Sequence, residues 1–262
     1  MANQSRVLYD NAFKDSGVTI SYSGTETDRF NKESAYDYKD FSTFQPQVSA
    51  TTNLDIDLAT GRTIDAWGIF IEKTDNSGTF TIDLQYESSP SVFTTLDTVT
   101  SADGKLEFNT FTSQAVASSR SIRFRFTLGT GPFYVRQLMV GEYLEFERGQ
   151  YAGINPPTLT QGVIQTNNLS ENGAILGTNR KRDKVMANIN LEHLTESWVR
   201  NTWEPFQLHA SYGRGFFYQW NPTEYSSETV YSVAEKITPP KNMGITPLMS
   251  VNMPIICRQA DV

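Results

Sequence analysis

Asn53-Leu-Asp-Ile-Asp-Leu-Ala-Thr-Gly-Arg-Thr-Ile-Asp-Ala-Trp-Gly-Ile-Phe-Ile71 decides the architecture of this chain. Leu54, Ile56 and Leu58 alternate with Asp55 and Asp57, the period of a strand with one wet face. Thr60-Gly61-Arg62 supplies a turn, after which Ile64, Trp67, Ile69 and Ile71 open a second apolar run. Two strands joined by a tight turn, the second carrying a large aromatic, predict the centre of a β-sheet domain.

The flanking sequence repeats that texture. Residues 6–13, 18–22, 79–86, 92–99 and 133–146 read as short strands, and Asp103-Gly104 marks a hairpin. Residues 121–128 alternate Ile122, Phe124, Phe126 and Leu128 with Arg123, Arg125 and Thr127. Tyr36, Tyr38, Phe41 and Phe44 form an aromatic segment closed by Pro46. Strands at this spacing without helices between them predict a sandwich or jelly roll over residues 1–148. Residues 149–157, with two glycines and Pro156-Pro157, read as a linker.

Residues 158–262 differ in texture. A polar strand over 158–166 precedes a turn at Asn172-Gly173 and a basic patch of Arg180, Lys181, Arg182 and Lys184, interrupted by Asp183. Residues 185–191 alternate again. The one predicted helix covers 194–201, with Thr195 as cap and Trp198 and Val199 as its apolar side; Trp203, Pro205 and Phe206 end it. Residues 212–220 are an aromatic strand entered through two glycines; its rings are either core or a flat sugar-stacking platform, and since alternation turns at most half of them outward, core is the expectation. Strands over 225–233 and 249–256 close the chain. The fold class expected is mainly β: an N-terminal jelly-roll sandwich and a C-terminal β-rich domain with one short helix.

Composition narrows function. Of 262 residues 38% are hydrophobic, with 16 Phe and 12 Tyr, enough to fill β cores. No apolar run approaches the length of a membrane helix, and the N-terminus lacks a signal-peptide core, so the expectation is a soluble chain made in a cytoplasm. The net charge of −7 resides in residues 1–150, which argues against tightly bound nucleic acid. The single Cys257 lies in an apolar run and reads as a buried small hydrophobe. His193 and His209 have no partner at metal-ligand spacing, and no triad or paired-carboxylate pattern stands out, so neither an enzyme nor a cofactor is expected. Asp55 and Asp57 share a strand face and are candidates for Ca²⁺; the alternative is the polar face of an amphipathic strand.

Several segments together carry a resemblance. Leu8-Tyr-Asp-Asn-Ala12, Leu54-Asp-Ile-Asp-Leu58 with Arg62-Thr-Ile-Asp65, Ser119-Arg-Ser-Ile-Arg-Phe-Arg125, Tyr151-Ala-Gly-Ile-Asn-Pro-Pro157, Trp198-Val-Arg200 and Ile237-Thr-Pro-Pro-Lys-Asn-Met-Gly-Ile-Thr-Pro-Leu-Met249 resemble tailed-bacteriophage tail and baseplate structural proteins. In such proteins a discoidin-like (galactose-binding-like) sandwich precedes a tail-assembly region. The resemblance implies a virion structural subunit, similar to a distal-tail ring component, with six-fold or three-fold cyclic symmetry and neighbouring tail proteins as partners. Arg180, Lys181, Arg182, Lys184 and Trp198 are then the interface candidates. It departs at Thr52-Asn53, where a tryptophan is common, and at Glu72-Lys-Thr-Asp75, where related sandwiches often carry His and Gly. The alternative is a host-glycan binding module of the tail. Exposed aromatics at the rims of residues 24–44 or 74–78 would favour it, and the second rim has none.

Overall fold

The computed structural model describes residues 4–47, 51–73, 78–129, 131–150, 156–159, 163–182, 185–244 and 247–259. Among the described residues it is mainly β with one α-helical segment, as the sequence predicts, and three short 3-10 turns besides.

The sandwich is built from two antiparallel sheets. One has five strands: β2 (Thr19–Tyr22), β3 (Thr51–Asp57), β8 (Ser121–Leu128), β5 (Phe80–Ser89) and β6 (Val92–Ser101), in that order. The other places β4 (Arg62–Lys73) between β7 (Lys105–Val116) and β9 (Phe133–Gly141). Alternation decides which residues point inward. Leu54 and Ile56 of β3 and Ile122, Phe124 and Phe126 of β8 meet Trp67, Ile69 and Ile71 of β4 in one buried cluster. Trp67 and Phe124 have ring centroids 5.9 Å apart, and the Trp67 indole donates to Asp97 across 2.7 Å. The intervening Asp55 and Arg123 lie opposite each other on the outer face.

β4 breaks the half-buried pattern, because its second face is also covered. Ala66 and Phe70 join Leu8, Leu106, Phe108, Met139, Phe217 and Tyr231 in a separate cluster. Strands buried on both faces read as near-continuous apolar runs, which is how Ala66-Trp-Gly-Ile-Phe-Ile71 reads. The covering layer is a seven-stranded sheet. Along it run β10 (Leu144–Glu145), β1 (Arg6–Leu8), β14 (Phe216–Gln219), β15 (Thr229–Ala234), β17 (Leu248–Arg258) and β13 (Val185–Thr195), with β16 (Lys241–Asn242) also on β17.

Sequence texture divides the chain near 148, but β1 pairs with β14 of the second half, and β10 adds to the same sheet on the other side of β1. The sandwich is thus an insertion between two neighbouring strands of the large sheet. Its entry and exit are tied together. Asp10 accepts the Glu142 amide at 2.8 Å and pairs with Arg62, which also holds Asp15 at 2.6 Å. A Cβ on Gly141 would stand 2.7 Å from the Asp10 carbonyl, so only glycine admits this approach.

The other face of the large sheet carries the helical segment: α1 (Glu196–Trp198), a π-helical turn (Val199–Trp203) and α2 (Glu204–Ser211). Thr195 caps it as predicted, accepting from the Trp198 amide at 3.3 Å. It does not end at Trp203–Phe206, as the sequence reading expects. The Glu204 amide bonds to the Val199 carbonyl in a widened turn, and Pro205, which has no N–H to satisfy, sits in the first turn of α2. The apolar stripe therefore continues through Val199, Trp203, Phe206 and Ala210 onto Phe216, Tyr218, Val251 and Met253. Phe216, Phe217 and Tyr218 are all core, because β14 is covered on both faces, Phe216 and Tyr218 on the helix side and Phe217 on the sandwich side, whereas Tyr212 is exposed.

The two buried layers meet most closely at Gly68, where a Cβ would lie 2.4 Å from the Phe217 ring. Gly68→Ala is expected to cost about 1–3 kcal/mol in urea unfolding, the usual penalty of overpacking. Gly177→Ala, where a Cβ meets nothing within 4 Å, should stay within about 0.5 kcal/mol of wild type, as neutral surface positions do.

Candidate functional site

The feature that the fold leaves without internal purpose is a hairpin arm. β11 (Val163–Leu169) and β12 (Ile175–Arg182) form a two-stranded sheet that pairs with no other strand among the described residues. Its turn is the predicted one: the Ser170 carbonyl accepts from Gly173 at 2.9 Å, and Ala174 accepts from the Ser170 amide at 2.8 Å. From residue 166 to 179 every residue except Ser170 is exposed. Both faces of the ribbon are therefore wet over this span. Leu169, Ile175 and Leu176 are 59%, 66% and 71% exposed at the tip, and Leu169 lies directly across from Ile175. A lone two-stranded ribbon is at best marginally stable in water, and its outer edges present unpaired backbone groups.

Three of the five sequence-based interface candidates fall at the base of this arm. Arg180, Lys181 and Arg182 occupy β12 opposite Gln165, Ile164 and Val163. Lys184 lies outside the described residues. Trp198 is half-buried in α1, with its ring 6.3 Å from Trp203, and packs on the helix-side core. The apolar tip carried no flag in the sequence; the turn pair Asn172-Gly173 and the basic patch marked the ribbon.

The remaining candidates have ordinary partners. Asp55 is held bidentately by Arg123 at 2.7 and 2.9 Å, and that guanidinium lies 3.5 Å from the Phe93 ring centroid. Asp57 accepts from the Ser121 hydroxyl at 2.5 Å. Among the described residues no three His, Cys, Asp or Glu side chains gather as metal ligands would. Cys257 sits in the helix-side core, where burial pushes its thiol up to about 11. His193 is exposed in a bulge of β13 with φ of 60°. His209 is buried, with a ring nitrogen 3.1 Å from the Gly215 carbonyl and the rings of Tyr9 and Tyr38 packed edgewise on it.

Of the two rims that bear on sugar binding, residues 74–77 lie outside the described residues. The other rim presents Phe41, 75% exposed, and Phe30 stacked on Tyr134 at 5.3 Å.

No family profile matches the chain, and no curated protein matches it. Among solved structures it is similar to a CBM32 module from Clostridium perfringens in complex with GalNAc-beta-1,3-galactose. That match has 13% identity over 48% of this chain and 95% of the module, with a TM-score of 0.40. It is also similar to chitosan-binding module 1 of a chitosanase/glucanase from Paenibacillus sp. IK-5, with 20% identity over 47% of this chain and 94% of the module and a TM-score of 0.39. A third match is a putative alpha-L-fucosidase from Bacteroides thetaiotaomicron, with 12% identity over 52% of this chain and 29% of the enzyme and a TM-score of 0.43. What these proteins bind or cleave is a property of those proteins. None of the three is a phage tail or baseplate protein, so the tail reading rests on the sequence resemblance alone.

Burial is the main influence on His209, lowering its pKa, with Arg214 adding to it and the Gly215 hydrogen bond and Asp10 opposing. The fold therefore favours the neutral imidazole. Its contribution is complete above the unfolded value of about 6.5 and is lost as pH falls through the lower folded value. His209→Gln should flatten the wild-type loss of unfolding free energy between pH 7 and pH 5, measured by urea titration.

Proposed function

We propose that this chain is a non-enzymatic assembly subunit whose hairpin arm engages a neighbouring copy. The observation that carries the reading is the arm itself: a ribbon exposed on both faces with apolar residues at its tip. Such a ribbon gains stability when another surface covers it, and a contact between two unlike surfaces of identical chains generates rings or filaments. In the finer form of the proposal the chain is a ring component of a phage tail tip or baseplate, part of the virion, with the six-fold or three-fold symmetry that the sequence resemblance implies. The large sheet and its helix form the ring, and the sandwich projects from it. Function then lies in repeated protein–protein contacts.

A second reading concerns the sandwich alone. The exposed Phe41 and the Phe30–Tyr134 stack supply flat apolar surface of the kind on which sugar rings pack. The two readings are compatible, since an assembly can array weak sugar sites and gain avidity.

Light scattering across a range of protein concentrations tests the main proposal. The wild-type chain should form a discrete oligomer, and replacing residues 166–179 by a short Gly-Ser turn should leave a folded monomer with an unchanged circular-dichroism spectrum. A wild-type chain that stays monomeric at every concentration would count against self-assembly. The sugar reading expects retention on at least one surface of a glycan array, with loss of that retention in Phe41→Ala.

A further inference from the structure

A second exposed apolar surface lies away from the arm, on the helix. Val199, Trp203, Phe206 and Ala210 bury one side of the helical segment against the large sheet. On the opposite side Pro205, Leu208 and Tyr212 recur at spacings of three and four, the period of one helix face. Leu208 is 56% exposed and Tyr212 is 67% exposed. The Arg214 guanidinium stands 5.1 Å from the Tyr212 ring centroid, at the end of this stripe. Resting on the assembly reading above, we infer that the arm tip of one copy, Leu169, Ile175 and Leu176, seats on the Pro205–Leu208–Tyr212 face of the next.

Three observations select a second copy as the occupant. The arm tip and the helix stripe are each exposed in the same chain, so the chain does not satisfy either by folding back on itself. The two surfaces are different in kind, a ribbon and a helix face, and their pairing is head-to-tail, the geometry that closes into a ring when the rotation allows. Their surroundings are also complementary in charge. In sequence the base of the arm carries Arg180, Lys181 and Arg182 followed by Asp183, with Glu171 in the turn at the tip, whereas the helix and the strand leading to it carry Glu192, Glu196 and Glu204 against Arg200, with Arg214 beyond Tyr212. Charges of opposite sign at the rim of an apolar contact steer its approach and fix its register. Arg200 is held by Glu196 at 2.6 Å within the helix and also feels Glu204, so the acidic groups of this segment outnumber the one cation among them.

Cysteine cross-linking tests this pairing cleanly, because the single native thiol, Cys257, is buried. Leu176→Cys and Leu208→Cys proteins are mixed and treated with a short bismaleimide. The expected product is a covalent dimer joining one variant to the other, with neither variant cross-linking alone. In parallel, Leu208→Glu with Tyr212→Ser should raise the dissociation constant of the assembly at least tenfold, with the circular-dichroism spectrum unchanged. A wild-type oligomer that gives no 176–208 product, and that the helix-face substitutions leave intact, would overturn this seat while leaving self-assembly standing. A wild-type chain monomeric at every concentration would overturn both. Should the double variant fail to fold, the cross-link decides.

Discussion

The Gly68 backbone lying directly under the Phe217 ring is the contact on which the rest of the molecule depends. It lets β4 serve two layers at once, giving Trp67, Ile69 and Ile71 to the sandwich and Ala66 and Phe70 to the large sheet. A side chain at position 68 would hold the layers apart, and the cluster around Phe70, Phe108 and Tyr231 would lose its packing. Polar links follow the same seam. The Gln219 amide donates to the Phe108 carbonyl at 3.0 Å, and Arg6 reaches both Gln219 at 2.7 Å and Thr110 at 2.9 Å. Burial of Gln219 is tolerated because its side chain finds these partners.

Much of this order was legible in the sequence, for reasons that particular residues make plain. The period of two in Leu54–Leu58 and Ile122–Leu128 fixed which residues face inward, because that period follows from the pleat itself. What was not legible depends on distant partners. Val7 and Leu8 read as an early strand of the sandwich, but their neighbours are Tyr218 and Phe217, more than 200 positions later. The apolar run at 66–71 carried the mark of double burial without saying what lies on the second side. Pro205 stopped the helix on paper; the π turn that accommodates it has no sequence signature of its own.

The candidate site was legible only in part. The turn at Asn172-Gly173 and the basic patch located the arm, and the cap at Thr195 located the helix. Exposure of Leu169, Ile175 and Leu176 could not be read, since it depends on what the remaining strands fail to cover. The same holds for Leu208 and Tyr212, whose helix the proline rule had cut short. A surface for assembly is a remainder of the folding problem, and a single chain shows it as apolar area left over.

Insertion of the sandwich between β1 and β10 has a mechanical consequence. A domain hung on one flexible linker can swivel, and a pull on it carries no information about direction. Here two antiparallel strands enter and leave side by side, clamped by Asp10 across Arg62 and the Glu142 amide. The sandwich is therefore joined to the large sheet by two chain connections, which resist swivelling where a single linker would not. The strand pair β1 and β10 is the mount on which the sandwich stands.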